Sequence, residues 1–266
     1  MNTQVLLSKY ELWFLLSQKP STVVIGFQNP MLGMLTEDMF PLIQEASFSL
    51  LDRDLIFADS NNQIEVKDVL GSLIHALTVP QHTILVAFRL NNDIKEMVRS
   101  FNFENNYTAL LEEIGDGSYA LRKIESKKNL LSLVTEPFSN KIFWSPDTDP
   151  LLFSEEEITL MQKSIEASST DEARIHLETA RGDEQSKIHL LETLQKPSVR
   201  FSLVGFMDRN DLRKNYVNGF SIIAGDRYIW LLEIVDESEK LVRVSKITLK
   251  DLNKKLSSII PLSLGG

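Results

Sequence analysis

Residues Leu73–Phe88, LIHALTVPQHTILVAF, read as the end of an apolar helix, a proline and an alternating strand. Residues Leu190–Phe206, LLETLQKPSVRFSLVGF, read the same way. Pro80 answers to Pro197 at an offset of 117, and Phe88 to Phe206 at 118. Further on, Glu113-Ile114-Gly115-Asp116-Gly117-Ser118 answers to Glu233-Ile234-Val235-Asp236-Glu237-Ser238 at an offset of 120. The order helix, proline, strand, hairpin therefore occurs twice. That period is far longer than the roughly 20–50 residues of solenoids and propellers. It predicts an α+β fold of two pseudo-symmetric halves, each an antiparallel sheet with flanking helices. The expected division is 1–138 for the first half, 139–153 for a connecting segment and 154–266 for the second half. Pro137, Pro146 and Pro150 mark the connection.

Both halves open with the same helix start. Ser8 and Glu11 have capping-box spacing, and so do Ser154 and Glu157. Ser21–Phe27, STVVIGF, is short and β-branched and reads as a strand. Thr36 is the expected cap of a helix running to Leu51, with Pro41 just past its first turn. Asp59–Asn62 is a turn cluster, and Val66–Val79 a helix stopped by Pro80. Strands are expected at Thr83–Leu90, Ile94–Phe103, Tyr107–Ile114 and Tyr119–Ile124, with a hairpin turn at Gly115-Asp116-Gly117. Asn129–Thr135 reads as a short helix. The second half is expected to be helical over Ser154–Leu194, with a break at Arg181-Gly182-Asp183. Strands follow at Val199–Phe206, Gly219–Ala224, Tyr228–Val235 and Leu241–Ile247. A last helix capped by Thr248 ends before Pro261.

Composition narrows the function classes. The 266 residues are 43% hydrophobic and 24% charged, as in an ordinary soluble globular protein of one large or two small domains. No apolar run is long enough to span a membrane, and Leu12–Leu16 is too short for a secretory signal. A cytoplasmic protein is expected. There is no cysteine, which removes disulfides, thiolate catalysis and Cys-ligated zinc. A net charge of −9 argues against a nucleic-acid partner, which needs a basic surface. The local cluster Arg122, Lys123, Lys127 and Lys128 reads as a solvated hairpin end.

Catalytic motifs are missing. No Gly-x-Ser-x-Gly, Gly-x-x-x-x-Gly-Lys or Gly-x-Gly-x-x-Gly occurs. His176 and His189 are thirteen residues apart, too far for the two ligands of one metal-binding helix. Adjacent carboxylates such as Glu112-Glu113 point to opposite faces of a strand, and Glu155–Glu157 serve a helix dipole. No catalytic residue, metal or cofactor is expected. The set Ile94, Met97, Phe101 and Phe103 mixes apolar and aromatic residues with Lys95, Arg99 and asparagines. It reads either as a half-core strand or as an exposed hairpin that docks a partner. The matching stretch Met207–Asn218 is charged instead, through Asp208, Arg209, Asp211, Arg213 and Lys214.

The chain opens with a capped helix carrying Tyr10-Glu11-Leu12-Trp13. Leu50-Leu51-Asp52-Arg53-Asp54-Leu55-Ile56 and Ile64-Glu65-Val66 follow, then the helix ending Leu73–Pro80, and the two α+β halves stand in tandem. This pattern resembles the EspG-type cytoplasmic chaperones of type VII secretion and their Gram-positive counterparts. The resemblance covers the first ninety residues best and the second half through the repeat. It implies a pair of antiparallel sheets related by a pseudo-two-fold, no enzymatic activity, and binding of a secreted helical protein before export. Ile94, Met97, Phe101 and Phe103 are then the expected partner-binding residues, read locally and not carried over from the family. The alternatives are a winged-helix-like transcriptional regulator, suggested by Thr36–Val79, and an enzyme of unrecognised class. Val66–Leu77 carries only Lys67 as a cation, which counts against a recognition helix.

Overall fold

The computed structural model describes residues 4–19, 23–58, 60, 63–91, 95–115, 117–139, 149–167, 169–206, 216–236 and 238–260. The first half runs β1 (Gln4–Ser8), α1 (Lys9–Ser17), α2 (Thr36–Asp52), a small hairpin of β2 (Ile56–Ala58) and β3 (Ile64–Val66), and α3 (Asp68–Thr78). It continues with β4 (His82–Leu90), β5 (Met97–Glu104), β6 (Tyr107–Gly115), β7 (Ser118–Lys123) and α4 (Lys127–Thr135), which ends in a 3-10 turn. The second half repeats the plan. It runs β8 (Leu151–Ser154), α5 (Glu155–Glu166), α6 (Thr170–Glu178), α7 (Glu184–Gln195), β9 (Val199–Phe206), β10 (Tyr216–Ala224), β11 (Ile229–Asp236), β12 (Leu241–Ile247) and α8 (Leu249–Ile259).

Ten strands form one antiparallel sheet in the order β1-β7-β6-β5-β4-β9-β10-β11-β12-β8. The order is palindromic about the β4–β9 pair. In each half the opening strand lies at the outer edge beside the last strand of its own half. The two expected half-sheets are thus present, and they join edge to edge through eight aligned residue pairs from Thr83↔Phe206 to Leu90↔Val199. This join removes the two edges that separate sheets would each expose.

The duplicated start and turn signals act as the sequence suggests. Ser8 Oγ accepts from the Glu11 N–H and Glu11 reaches back to the Ser8 N–H, while Ser154 and Glu157 do the same. Each strand after a proline begins two residues beyond it, at His82 and at Val199. The hairpins β6–β7 and β11–β12 both carry a bulge, at Ile114 and at Val235.

One sheet face packs on α4 and α8. Its core joins Ile84, Val86, Phe88, Phe101 and Leu110 of the first half to Phe201, Leu203, Ile222 and Leu231 of the second, under Leu130, Val134, Leu252 and Leu256. The other face carries two separate helical layers. α1, α2 and α3 cover β6 and β7 through Leu12, Leu15, Leu50, Leu73 and Leu77 against Leu111 and Leu121. α5, α6 and α7 cover β11 and β12 through Met161, Leu177 and Leu190 against Trp230, Val242 and Val244.

Several expectations are corrected. The described part of Ser21–Phe27 is a turn, not a strand: Gly26 takes φ +85, and Val24 and Ile25 are buried. Edge pairing to β7 is supplied instead by β1, which the sequence reading missed along with β2, β3 and β8. Thr36 is the first helical residue of α2 and Leu35 its cap, with no side-chain bond. The helical stretch of the second half has two interruptions, since α5 ends at Glu166 as well as α6 at Glu178. The run α2–β2–β3–α3 does not form a winged helix. α3 buries Leu70, Leu73, Ile74 and Leu77 against the sheet and leaves Asp68, Val69 and His75 outward, with no lysine or arginine on it. The expected turn at Asp59–Asn62 falls mostly outside the described residues.

Candidate functional site

Between the two helical layers the central strands β4 and β9 are only partly covered. Side chains alternate across a strand, so one set of each strand enters the core and the other faces this gap. In β9, Val199, Phe201 and Leu203 are buried, while Arg200, Ser202, Val204 and Phe206 are half-buried. In β4, Ile84, Val86 and Phe88 are buried, while Leu85, Ala87 and Arg89 are half-buried. Residues paired across the ladder share a face, so Leu85 and Val204, Ala87 and Ser202, and Arg89 and Arg200 form successive rungs of a groove floor.

The groove has unlike walls. On one side the turn at Gly26 presses on the floor: a Cβ there would stand 2.9 Å from Ser100 Cβ and 3.6 Å from Leu85 Cδ1. On the other side Gln162 and Ile165 of α5 and Leu194 of α7 border a cavity of about 240 Å³ that ends on Arg89, Arg200, Ser202 and Ser221. Small and hydroxyl residues of the floor thus leave room that larger side chains would fill. At the Gly26 end, Asn102 donates to Ser100 Oγ at 3.0 Å and Thr83 Oγ1 lies 3.2 Å from Asn102 Oδ1, a buried polar strip that fixes β4 against β5. A wider cleft of about 930 Å³ opens beside α3, lined by Lys19, Glu65, Asp68, His75 and Glu104. It belongs to one half alone, whereas the groove lies on the pseudo-symmetry axis.

The expected partner-binding set is not brought together at a surface. Phe101 and Phe103 are core residues of β5, 0% and 3% exposed, packed among Ile84, Leu110 and Phe138. Their register opposite Ile84 and His82 turns them toward α4 and α8, so they cannot reach a partner. Met97 is half-buried against the same core. Ile94 lies outside the described residues, as do Asp208, Arg209, Asp211, Arg213 and Lys214. The groove-facing residues Leu85, Ala87, Arg89, Ser202 and Val204 were missed. Their signal is the mixed polarity of one face in strands whose other face is apolar apart from His82.

The histidines do not gather. His189 stacks on Tyr228 at 4.4 Å, and its Nδ1 lies 3.0 Å from Lys246 Nζ. Burial, then the neighbouring ammonium, holds its pKa below the usual histidine value. His82 packs edge-on to Phe103, and burial lowers its pKa as well. Among the described residues no three His, Asp or Glu side chains are placed to hold a metal. No described helix is long and apolar enough to cross a membrane.

No protein-family profile matches the sequence, and no curated protein does. A solved structure does match the fold. The Mycobacterium tuberculosis type VII secretion system chaperone EspG5, solved in complex with a PE25–PPE41 dimer, aligns with a TM-score of 0.67 over 98% of both chains at 11% identity. The chain has the EspG fold. The match runs through both halves, so the palindromic sheet and its two helical layers belong to the EspG architecture as a whole. Sequence identity this low carries the fold and leaves the surface residues of the groove to be read on their own.

Proposed function

We propose that the protein is a cytoplasmic chaperone that holds a helical type VII secretion substrate before export, seated along the groove over β4 and β9. The observation that carries this reading is the full-length likeness to EspG5, a chaperone solved with its PE25–PPE41 dimer. The groove supports it physically. It is an elongated floor of small, hydroxyl and aliphatic side chains, with Arg89 and Arg200 at one end, between the Gly26 turn and the helices α5 and α7, which suits one face of a helix more than a compact reactive substrate. A non-enzymatic role fits the dispersed titratable groups.

The test is affinity purification of the tagged chain from its native host, with mass spectrometry of what accompanies it. The parallel variant is Ser202→Trp, which fills the groove floor. A helical secreted protein recovered with the wild type and lost from a well-folded Ser202→Trp supports the reading. Equal recovery with both proteins refutes the groove as the seat, and recovery of no secreted protein refutes the chaperone role.

A further inference from the structure

α2 is the longest helix among the described residues, with 17 residues, yet it buries only Ala46 and Leu50. α3, with 11 residues, buries six. Phe40, Gln44, Phe48 and Leu51 fall at helical spacing on the outward side of α2, and all are exposed, Phe40 at 67% and Phe48 at 59%. Asp38, Glu45 and Asp52 are exposed as well and stand seven residues apart, so they form an acidic row along one edge of the apolar one. α2 carries no lysine, arginine or histidine, and among the described residues none of these acids has an ion-pair partner. Arg53, next in the chain, is held by Glu11. Asp52 lies in the last turn, where the helix dipole disfavours an acid, so folding alone does not account for it.

We propose that the outer face of α2 docks a helix of a second protein, one whose own apolar stripe is flanked by lysine or arginine at seven-residue spacing. Pro41 and Phe48 repeat at one seam position of a heptad and Gln44 and Leu51 at the other, with Glu45 and Asp52 directly after the second. Charges beside such a seam choose the partner, and an acidic row selects a basic one. A second copy of this helix has no base to offer that row, and an anionic membrane surface has none either. Phe40 and Phe48 supply the anchors, because a few buried aromatic residues carry most of the binding energy of an interface. Pro41, Phe48, Leu51 and Asp52 line one open hollow that shares no residue with the cavity over β9, so this surface is separate from the groove and does not rest on the chaperone reading.

The probes are two fluorophore-labelled peptides of three heptads with leucine at both seam positions, one with lysine and the other with glutamate at the flanking positions. Each is held at nanomolar concentration and titrated with the full chain, with fluorescence anisotropy as the readout. The lysine peptide is expected to bind saturably and the glutamate peptide not. Phe48→Ala should weaken the lysine peptide about tenfold or more, the loss of an aromatic anchor. Glu45→Lys/Asp52→Lys should exchange the preference, so that the glutamate peptide binds better. Circular dichroism confirms that each variant is folded. Equal binding of the two peptides, no binding, or an unchanged preference in the charge-reversed variant overturns the proposal. So does a lysine peptide that binds Phe48→Ala as tightly as the wild type, since attraction to the net charge of −9 would then suffice. Sedimentation of the chain alone and with phosphatidylserine vesicles completes the test. A dimer, or vesicle binding, that Phe48→Ala abolishes assigns the face to a second copy or to a membrane and overturns the helical partner.

Discussion

Arg99 Nε lies 2.6 Å from Glu112 Oε1, across the β5–β6 ladder, and the same guanidinium reaches the Leu133 carbonyl and Glu136 at 2.7 Å. Its side chain is 7% exposed and sits over the Phe88 ring at 5.0 Å. One residue thus ties the sheet to the end of α4. The second half has a counterpart: Glu233 on β11 meets Arg243 on β12 and Lys255 on α8.

Removing Arg99 leaves Glu112 inside with only the long 3.5 Å contact to Arg122. Arg99→Ala is therefore expected to cost about 3–5 kcal/mol of stability. Arg99→Met loses the guanidinium over Phe88 but keeps an apolar stem in the buried site, and should cost less. Urea unfolding of both variants checks the order; equal losses would show that the lost charge and its hydrogen bonds, not packing of the stem, carry the effect.

The aromatic residues divide by burial. Phe101 is 0% exposed within the shared core, and Phe101→Ala should lose about 3–5 kcal/mol. Phe48 on the outer face of α2 is 59% exposed, and Phe48→Ala should change stability by less than about 0.5 kcal/mol. Thermal unfolding of the two variants measures the contrast.

Folding stability should fall on mild acidification. His82 and His189 have an ordinary pKa of 6.5 and are both held lower in the fold, His82 by burial and His189 by burial and then Lys246. The unfolded chain then binds more protons than the folded one as pH drops. Their contribution is fully present above about 6.5 and is lost as pH falls through that value toward the lower folded values. Asp251, held low first by the Thr248 hydroxyl, and Asp183, by Ser186, act in a separate window below their ordinary value of 3.8. Urea midpoints across pH should show the upper step in the wild type and a flatter profile in His82→Phe/His189→Gln. An unchanged profile would assign the step to other groups.

The sequence made the duplicated plan legible because its punctuation is local. A proline stops a helix wherever the chain goes, and a capping box needs only four residues, so α1, α5, β4 and β9 stand where the spacing put them. The joining of the halves was not legible. Whether β4 pairs with β9 is decided by residues more than a hundred positions apart, and an apolar strand reads alike at an edge or in the middle of a sheet. The groove was hidden for a related reason. Arg89 and Arg200 each look like one charge near a strand end, and become a pair only through the register. Phe101 and Phe103 misled because alternation gives the two faces of β5 without saying which is covered. Ser21–Phe27 misled because β-branched propensity outweighed Gly26, whose positive φ makes the turn.

That glycine gives the last expectation. Gly26 and Gly33 have nearly the same backbone, φ +85 and +84, but a Cβ at Gly33 meets nothing within 4 Å. Gly33→Ala therefore isolates the left-handed conformation, about 1–2 kcal/mol. Gly26→Ala carries that cost plus a contact at 2.9 Å with Ser100 Cβ, an atom fixed to the β5 backbone that cannot swing away. Gly26→Ala should be the more destabilising by at least about 1 kcal/mol, in the range of overpacking a filled site. Ser100→Gly removes the opposing atom, so the Gly26→Ala/Ser100→Gly double variant should recover part of the loss beyond additivity. Strict additivity in urea unfolding would mean that the turn moves off the sheet instead. The groove wall beside Leu85 would then be adjustable rather than set by this contact.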